Sequence, residues 1–300
     1  MKDLHFKFSL SEKEIQTLAK LINTNLEFDK FSSSHIKHLI FDDPNFSTEY
    51  IICGYKKDKL ISFLCGVQAN YKGKQIGWIK FFLVDKKFRR KGIGRQMFSL
   101  IEEKFKSCDE IRIMDSVPCY FQPGVDVRYT EAIVFLESLG YKKIGENIHL
   151  ETDLTKIDFS LIKILEQQIN QQNYRIVRGT TELYQPLVTW IQQIFPAWEY
   201  EVSFSYKAKQ PQVFIALHND KVVGFSCFNT TAEGWFGPIG VEPQHRKVGL
   251  GKILLLKSLK ELKNLGYKKS VIPWISPSSL KFYVSTCNAR ISRCFWVYTK

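Results

Sequence analysis

One basic, glycine-rich segment occurs twice in this chain, with Gly92 and Gly249 at equivalent places 157 residues apart. The first copy runs Val84-Asp85-Lys86-Lys87-Phe88-Arg89-Arg90-Lys91-Gly92-Ile93-Gly94, and the second Val241-Glu242-Pro243-Gln244-His245-Arg246-Lys247-Val248-Gly249-Leu250-Gly251. Each copy follows an apolar, strand-like run and opens a long amphipathic segment, so each predicts strand, turn and helix N-terminus. Such a turn is suited to holding phosphate. Glycine lacks the Cβ that blocks close approach, the first helical N–H groups point outward unbonded, and the helix dipole favours an anion. A long internal repeat of this kind constrains the chain to two similar domains.

Composition is consistent with that division. The chain has 300 residues, 44% apolar and 24% charged. That suits two ordinary globular domains with real cores. No apolar run reaches membrane-spanning length, and the N-terminus from Met1 to Lys7 has no apolar region typical of a secretory signal. Seven cysteines, widely spread and without a C-x-x-C pair, argue against a disulfide scaffold or a zinc ribbon and fit a reducing cytoplasm. The six histidines show no metal-ligand spacing, so no metal is expected. The formal charge of +13 admits an anionic partner. Its lysines are dispersed rather than drawn into a stripe interleaved with aromatics, which disfavours nucleic acid.

Along the first half, Leu4–Phe8 alternates as a strand, and Ser11 with Glu14 forms a capping box for a helix to about Asn23. Tyr50–Tyr55 and Leu60–Gln68 predict a hairpin, and Gly77–Val84 a strand leading into the first glycine turn. The helix after that turn buries Ile93, Met97, Leu100, Ile101 and Phe105 at helical spacing. A short strand at Ile111–Asp115 and a helix at Glu131–Leu139 follow. The second half repeats the order, with a second echo between Asp58–Cys65 and Asp220–Cys227. The expected domains are residues 1–154 and 174–300, joined by a linker at 155–173 with helical spacing in its middle.

The pattern V-x-x-x-x-R-x-x-G-x-G between strand and helix resembles the acyl-CoA-binding signature of the GCN5-related N-acetyltransferases (GNAT). Arg89, Gly92 and Gly94 match it in the first half, and Arg246, Gly249 and Gly251 in the second. Trp274-Ile275-Ser276-Pro277 with Phe282-Tyr283 is similar to the family's closing strand and helix, and Phe121–Asp126 with Phe135–Tyr141 takes that place in the first half. The loop Pro123-Gly124-Val125-Asp126 is similar to one in bacterial tandem members of the family. The resemblance implies an α/β fold of two tandem domains, each a central, mostly antiparallel mixed sheet flanked by helices, with a splayed strand pair at the CoA site.

It also implies the chemistry: acetyl transfer from acetyl-CoA to a primary amine by direct attack in a ternary complex. The pyrophosphate would lie over the backbone of Arg90, Lys91, Gly92, Ile93, Gly94 and Arg95, or of Lys247, Val248, Gly249, Leu250, Gly251 and Lys252. Leu83 and Val84, or Ile239 and Val241, would offer backbone groups to the pantetheine arm. Tyr283 stands at the family's proton donor to the departing sulfur, whereas the first half has Leu136, which cannot donate. The second half is therefore the expected catalyst. Asn288 and Ser276 depart from the family's glycine and asparagine at those places.

Glu233 and Asp115 are geometrically plausible general bases, though the ordinary reading, a loop or strand-end carboxylate, is preferred for each. Phe41-Asp42-Asp43 and Phe195–Tyr200 are candidate linings for acceptor clefts, and equally plain surface and packing residues. The alternative from another class is a non-catalytic acyl-CoA-binding protein, favoured for the first half by Leu136. Either a monomer or a homodimer fits, since two such domains in one chain can imitate a dimer.

Overall fold

A computed structural model describes residues 3–300; Met1 and Lys2, part of the N-terminal segment read above, lie outside the described residues. The chain forms two compact units. One comprises the chain up to Asn147 together with Phe295–Lys300, and the other Ile148–Cys294.

The first unit opens with β1 (Leu4–Lys7), α1 (Ile15–Asn25) and α2 (Ser33–Phe41). Just before α1 the Glu14 carboxylate accepts from the Ser11 backbone N–H at 2.8 Å and the Ser11 hydroxyl at 2.7 Å. The capping box therefore forms as its sequence requires. There follow β2 (Ile51–Lys56), β3 (Lys59–Tyr71), β4 (Lys74–Val84), α3 (Ile93–Lys104), β5 (Glu110–Ile113), β6 (Val125–Asp126), α4 (Thr130–Ser138) and β7 (Lys142–Asp153), whose latter half belongs to the second unit. Strands β1 to β4 pair antiparallel in order, and β5 lies parallel to β4. The end of the chain completes this sheet, with Tyr298 opposite Ile113 and Phe295 opposite Asp126. Helix α3 buries Ile93, Met97, Phe98 and Ile101 on one sheet face, against Ile52, Leu64, Ile79 and Tyr298.

The second unit continues with α5 (Leu161–Asn170), β8 (Tyr174–Arg178), α6 (Thr181–Ile194), α7 (Glu199–Ser205), β9 (Val213–His218), β10 (Lys221–Phe228), β11 (Phe236–Val241), α8 (Leu250–Asn264), β12 (Lys269–Ile275), α9 (Leu280–Cys287) and β13 (Arg290–Thr299). Strands β8 to β11 form an antiparallel sheet in the order β11-β10-β9-β8, and β12 pairs antiparallel with residues 148–153. Helix α8 covers one face with Leu250, Ile253, Leu254, Leu255, Leu256, Leu259 and Leu262. Helices α6 and α7 cover the other through Leu187, Trp190, Ile191 and Val202. Phe225 and Cys227 of β10 point toward α6 and α7, whereas Phe228 points toward α8, as strand alternation demands.

Several features differ from the sequence reading. Helices α2 and α7 and strand β7 lie where no element is expected, and the chain divides at 147/148 rather than around a linker at 155–173. The linker helix α5 forms, but within the second unit. A strand belongs to the unit whose strands it pairs with, and Leu150 stands opposite Ile272. Among the described residues, no helix is long and apolar enough to cross a membrane.

Candidate active site

The two glycine turns have nearly the same backbone. Arg90 and Gly92 take positive φ at +61° and +82°, and Lys247 and Gly249 at +68° and +98°. Each glycine caps a helix in the left-handed conformation, where a Cβ is strained, and each faces open space on the side a Cβ would occupy. The first helical bonds run from Gln96 N–H to the Gly92 carbonyl at 3.0 Å and from Ile253 N–H to the Gly249 carbonyl at 3.2 Å. The N–H groups of Ile93, Gly94 and Arg95, and of Leu250, Gly251 and Lys252, precede those bonds and are left for an anion.

Both signature arginines turn back into the protein. Arg89 Nε donates to the Val84 carbonyl at 3.0 Å, and Arg246 Nε to the Val241 carbonyl at 2.9 Å. Arg89 also pairs with Glu131 at 2.8 Å. Lys91 is exposed beside Phe88, its ammonium 5.5 Å from the ring centre. In the second half His245 takes the place of Phe88 and meets the Tyr174 hydroxyl through Nδ1 at 2.9 Å. The second glycine of each pair lies against an aromatic ring. A Cβ on Gly94 would come within 3.1 Å of Phe135, and one on Gly251 within 3.6 Å of Phe282.

Beyond each turn the sheet splits. In the first unit β4 and β5 pair from Ile76 and Glu110 as far as Ile79 and Ile113, and Met114 N–H still reaches the Ile79 carbonyl at 2.9 Å. From there to Leu83 and Val84, β4 keeps β3 as its only paired strand among the described residues. In the second unit β11 and β12 meet at one bridge, Trp235 to Val271, after which Ile239 and Val241 pair with β10 alone among the described residues. A free strand edge of this kind offers unpaired backbone groups to an extended ligand.

The two mouths differ in what closes them. In the first unit residues 119–126 are wholly buried. Phe121 packs on Phe81 with ring centres 4.7 Å apart and on Phe31 at 5.5 Å, filling the sheet face opposite α3. Helix α4 then presents Leu136, fully buried. In the second unit the corresponding loop is short, and Ser276, Pro277 and Ser278 are exposed. Helix α9 presents Tyr283 against Phe236 and Phe282, with ring centres 6.3 and 4.9 Å away. Among the described residues no side chain or backbone group bonds its hydroxyl, and burial raises that hydroxyl's pKa well above the ordinary value, keeping it protonated. Asn288 ends α9 at φ +52° with its N–H on the Val284 carbonyl at 3.0 Å. It thus takes the left-handed cap that glycine usually supplies.

The remaining candidates fall in less open places. Asp115 is buried, accepts from Trp78 Nε1 at 3.1 Å and pairs with Arg112; desolvation pushes it up to about 6. Glu233 is exposed. Asp43 is buried in an ion pair with Lys80, whose ammonium also donates to the Leu39 carbonyl at 2.7 Å. Phe195 packs between Trp190 and Trp198, at 5.5 and 5.1 Å. Burial raises the thiols of Cys53 and Cys65 to about 12 and that of Cys287 to about 11, leaving little nucleophilic thiolate. The sequence reading missed Glu201, a buried carboxyl on α7 beside the Phe195–Tyr200 segment; its place next to Val202 in a short helix gives no sign of burial.

The family model described as the acetyltransferase (GNAT) family matches residues 16–141 and 177–288, most of both halves. This chain belongs to the GNAT acetyltransferase family. Among solved structures it is similar in fold to the GCN5-related glucosamine N-acetyltransferase region of a fungal multi-domain β-N-acetylglucosaminidase, at 15% identity and TM-score 0.81 over 99% of this chain. The chain spans 38% of that longer fungal chain. A GNAT protein from Sphaerobacter thermophilus aligns over 100% of this chain and 96% of its own, at 12% identity and TM-score 0.71. A tandem GNAT protein from the clavulanic acid biosynthesis pathway aligns over 99% and 98%, at 15% identity and TM-score 0.68. No protein of curated function matches the chain in sequence. The GNAT family indicates an acyltransferase, and two family matches in one chain fit the duplicated architecture.

Proposed function

We propose that this GNAT protein moves an acetyl group from acetyl-CoA to a primary amine, with the second unit as the catalyst. The observation that carries this reading is Tyr283: a protonated phenol with no partner among the described residues, on the helix beside the split between β11 and β12. The pyrophosphate lies over the N–H groups of Lys247, Val248, Gly249, Leu250, Gly251 and Lys252, and the pantetheine arm runs along Ile239 and Val241. The neutral amine attacks the thioester carbonyl, the C–S bond breaks, and Tyr283 protonates the leaving sulfur. Holding both substrates in line supplies much of the acceleration, without a covalent enzyme intermediate.

For the first unit a specific observation favours a second role, as a non-catalytic acyl-CoA binder. Its cradle, Arg90 to Arg95, has the same backbone shape, yet Leu136 replaces the phenol and buried residues 119–126 with Phe81 close the acceptor side. Leu83 and Val84 would still border a CoA arm there. A cytoplasmic home accompanies the proposal, supported by seven free cysteines.

Calorimetric titration with acetyl-CoA tests the reading, followed by CoA release with glucosamine, spermidine, lysine and a short peptide as acceptors. Binding with release by at least one amine is expected. Absence of acetyl-CoA binding would reject it, and binding without release would leave only the acyl-CoA-binding role.

A further inference from the structure

The first glycine turn carries a charge cluster that its counterpart in the second unit lacks. Phe88, half-buried within the turn, gathers three ammonium groups around its ring. Lys56, Lys59 and Lys91 place their Nζ atoms 5.4, 5.7 and 5.5 Å from the ring centre. Lys56 and Lys59 come from the β2–β3 hairpin, and Lys91 from the cradle itself. Of the three, Lys59 alone has a carboxylate within ion-pair distance among the described residues, Asp85 at 3.6 Å. Asp58, at the hairpin tip, is exposed and pairs with none of them. The Lys91 ammonium also donates to the Lys87 carbonyl at 3.3 Å, and Lys57, Lys86, Lys87 and Arg90 are exposed around the cluster. Attraction to the ring offsets part of the repulsion among the ammonium groups, and a bound anion would offset the remainder.

The sheet order puts this cluster at the end of the cradle away from the split. Strand β4 lies between β3 and β5 and parts from β5 beyond Ile79, so the split opens on one side of β4 and the hairpin lies on the other. Ser62 stands opposite Val84, and the Asp85 N–H reaches the Ile61 carbonyl at 2.8 Å, which sets the Lys59 end of the hairpin against the turn. The second turn is built differently at the same places. In the two sequence echoes His218 stands for Lys56, His245 for Phe88 and Val248 for Lys91, and only Lys59 keeps a counterpart, Lys221. Tyr174 stacks on His218 with ring centres 4.3 Å apart and bonds His245 at 2.9 Å, while the two imidazoles lie 5.1 Å apart. Three rings packed on one another thus replace the gathered ammonium groups.

We infer that Lys56, Lys59 and Lys91 form a subsite for the ribose 3′-phosphate of CoA, an inference resting on the acyl-CoA-binding reading of the first unit. A CoA molecule with its pyrophosphate on the amides of residues 90–95 and its pantetheine arm in the split sends its ribose out of the other end of the cradle. The 3′-phosphate sits on that ribose, only a few bonds from the pyrophosphate. It is a compact dianion, and ammonium groups from two separate segments supply both opposite charge and hydrogen-bond donors. The first unit therefore selects CoA over its dephospho form. The second unit, left with Lys221 alone, reads the pyrophosphate and the arm and takes the two forms nearly alike.

Calorimetric titration of the full chain with CoA and with dephospho-CoA, which lacks only that phosphate, tests the subsite. Gly249→Glu silences the second cradle and leaves the first to be read alone. There CoA should bind about tenfold or more tightly than dephospho-CoA, a preference that narrows as salt is raised. Lys56→Gln combined with Lys59→Gln should bring the two affinities together, chiefly by weakening CoA. On the unaltered chain, adenosine 3′,5′-bisphosphate should displace CoA from the first site at concentrations where adenosine 5′-monophosphate does not. Equal affinities for the two forms in Gly249→Glu, or a preference that survives the lysine changes, overturns the subsite and leaves the acyl-CoA reading standing. A Gly249→Glu chain that binds neither form, beside a wild type that binds CoA, overturns the subsite together with the first unit's role as a binder. Absence of CoA binding by the wild type overturns the acyl-CoA reading as well.

Discussion

The Nε of Arg246 donates to the carbonyl of Val241 at 2.9 Å, tying the second glycine turn to the last residue of the strand before it. Arg89 and Val84 do the same in the first unit at 3.0 Å. The arginine of the signature thus braces the turn from behind, on the side away from the first free amides of the helix. Lys247 between Arg246 and Gly249 is held at positive φ, a conformation that this latch helps to fix.

Replacing Arg246 by alanine should release the turn. We expect acetyl-CoA affinity at the second unit to fall about tenfold, the worth of one charge-assisted hydrogen bond, with the fold retained. Calorimetry resolves the two units when the same change is made separately at Arg89. Unchanged affinity in Arg246→Ala would show that the latch does not set the cradle.

Tyr283→Phe removes a hydroxyl that bonds nothing among the described residues, so stability should change by less than about 1 kcal/mol. The rate should change far more, with kcat lower by about 100-fold and acetyl-CoA affinity intact, as expected for a group needed in the transition state alone. Steady-state CoA release at saturating acetyl-CoA measures this, and an undiminished kcat would remove Tyr283 from the mechanism.

Lys80 and Asp43 form a buried ion pair in the first unit, with side chains 2% and 0% exposed. Asp43→Ala leaves the ammonium buried and uncompensated, which should cost about 3–5 kcal/mol. The double change Lys80→Met, Asp43→Leu should recover most of that loss. Denaturant unfolding of the three proteins gives the comparison; a single variant as stable as the double would mean that water reaches the site.

Stability of the second unit should fall as pH rises across neutrality. Burial lifts Glu201 from 4.5 to about 7, so the folded state holds this proton more tightly than the unfolded chain. The associated stability is fully present below about pH 4.5 and is lost as pH rises through about 7. Glu201→Gln should therefore raise the melting temperature at about pH 8 by several degrees, corresponding to at most ~3 kcal/mol, and leave it little changed near pH 4.5. Asp115, pushed up to about 6, gives a slope of the same sign in the first unit, so the difference between variant and wild type is the informative quantity. Parallel melting curves across that range would mean that Glu201 titrates as an exposed carboxyl.

Much of the duplicated fold was legible from short-range patterns. The capping box at Ser11 and Glu14, the hairpin at Lys56–Lys59, the helix buried through Ile93, Met97 and Ile101, and both glycine turns depend on neighbours within a few residues. Helix α2 was less visible because it is nine residues long and interrupted by His35, Lys37 and His38. Strand β7 was missed because Lys142–Asp153 alternates only weakly between apolar and polar residues.

What the sequence by itself determined is the chemistry available: two phosphate-sized turns, a phenol in one half and a leucine in the other. Residue identity and local backbone preference suffice for that, since a turn that needs positive φ selects its glycine wherever the chain goes. The tertiary structure decided which of these groups face solvent and which are buried. It paired Asp43 with Lys80, buried residues 119–126 and left the Glu201 Oε2 buried without a hydrogen-bond partner. It also gave residues 295–300 to the first unit. Those outcomes rest on contacts between residues far apart in the chain, and desolvation and pairing exist only once distant segments have been brought together.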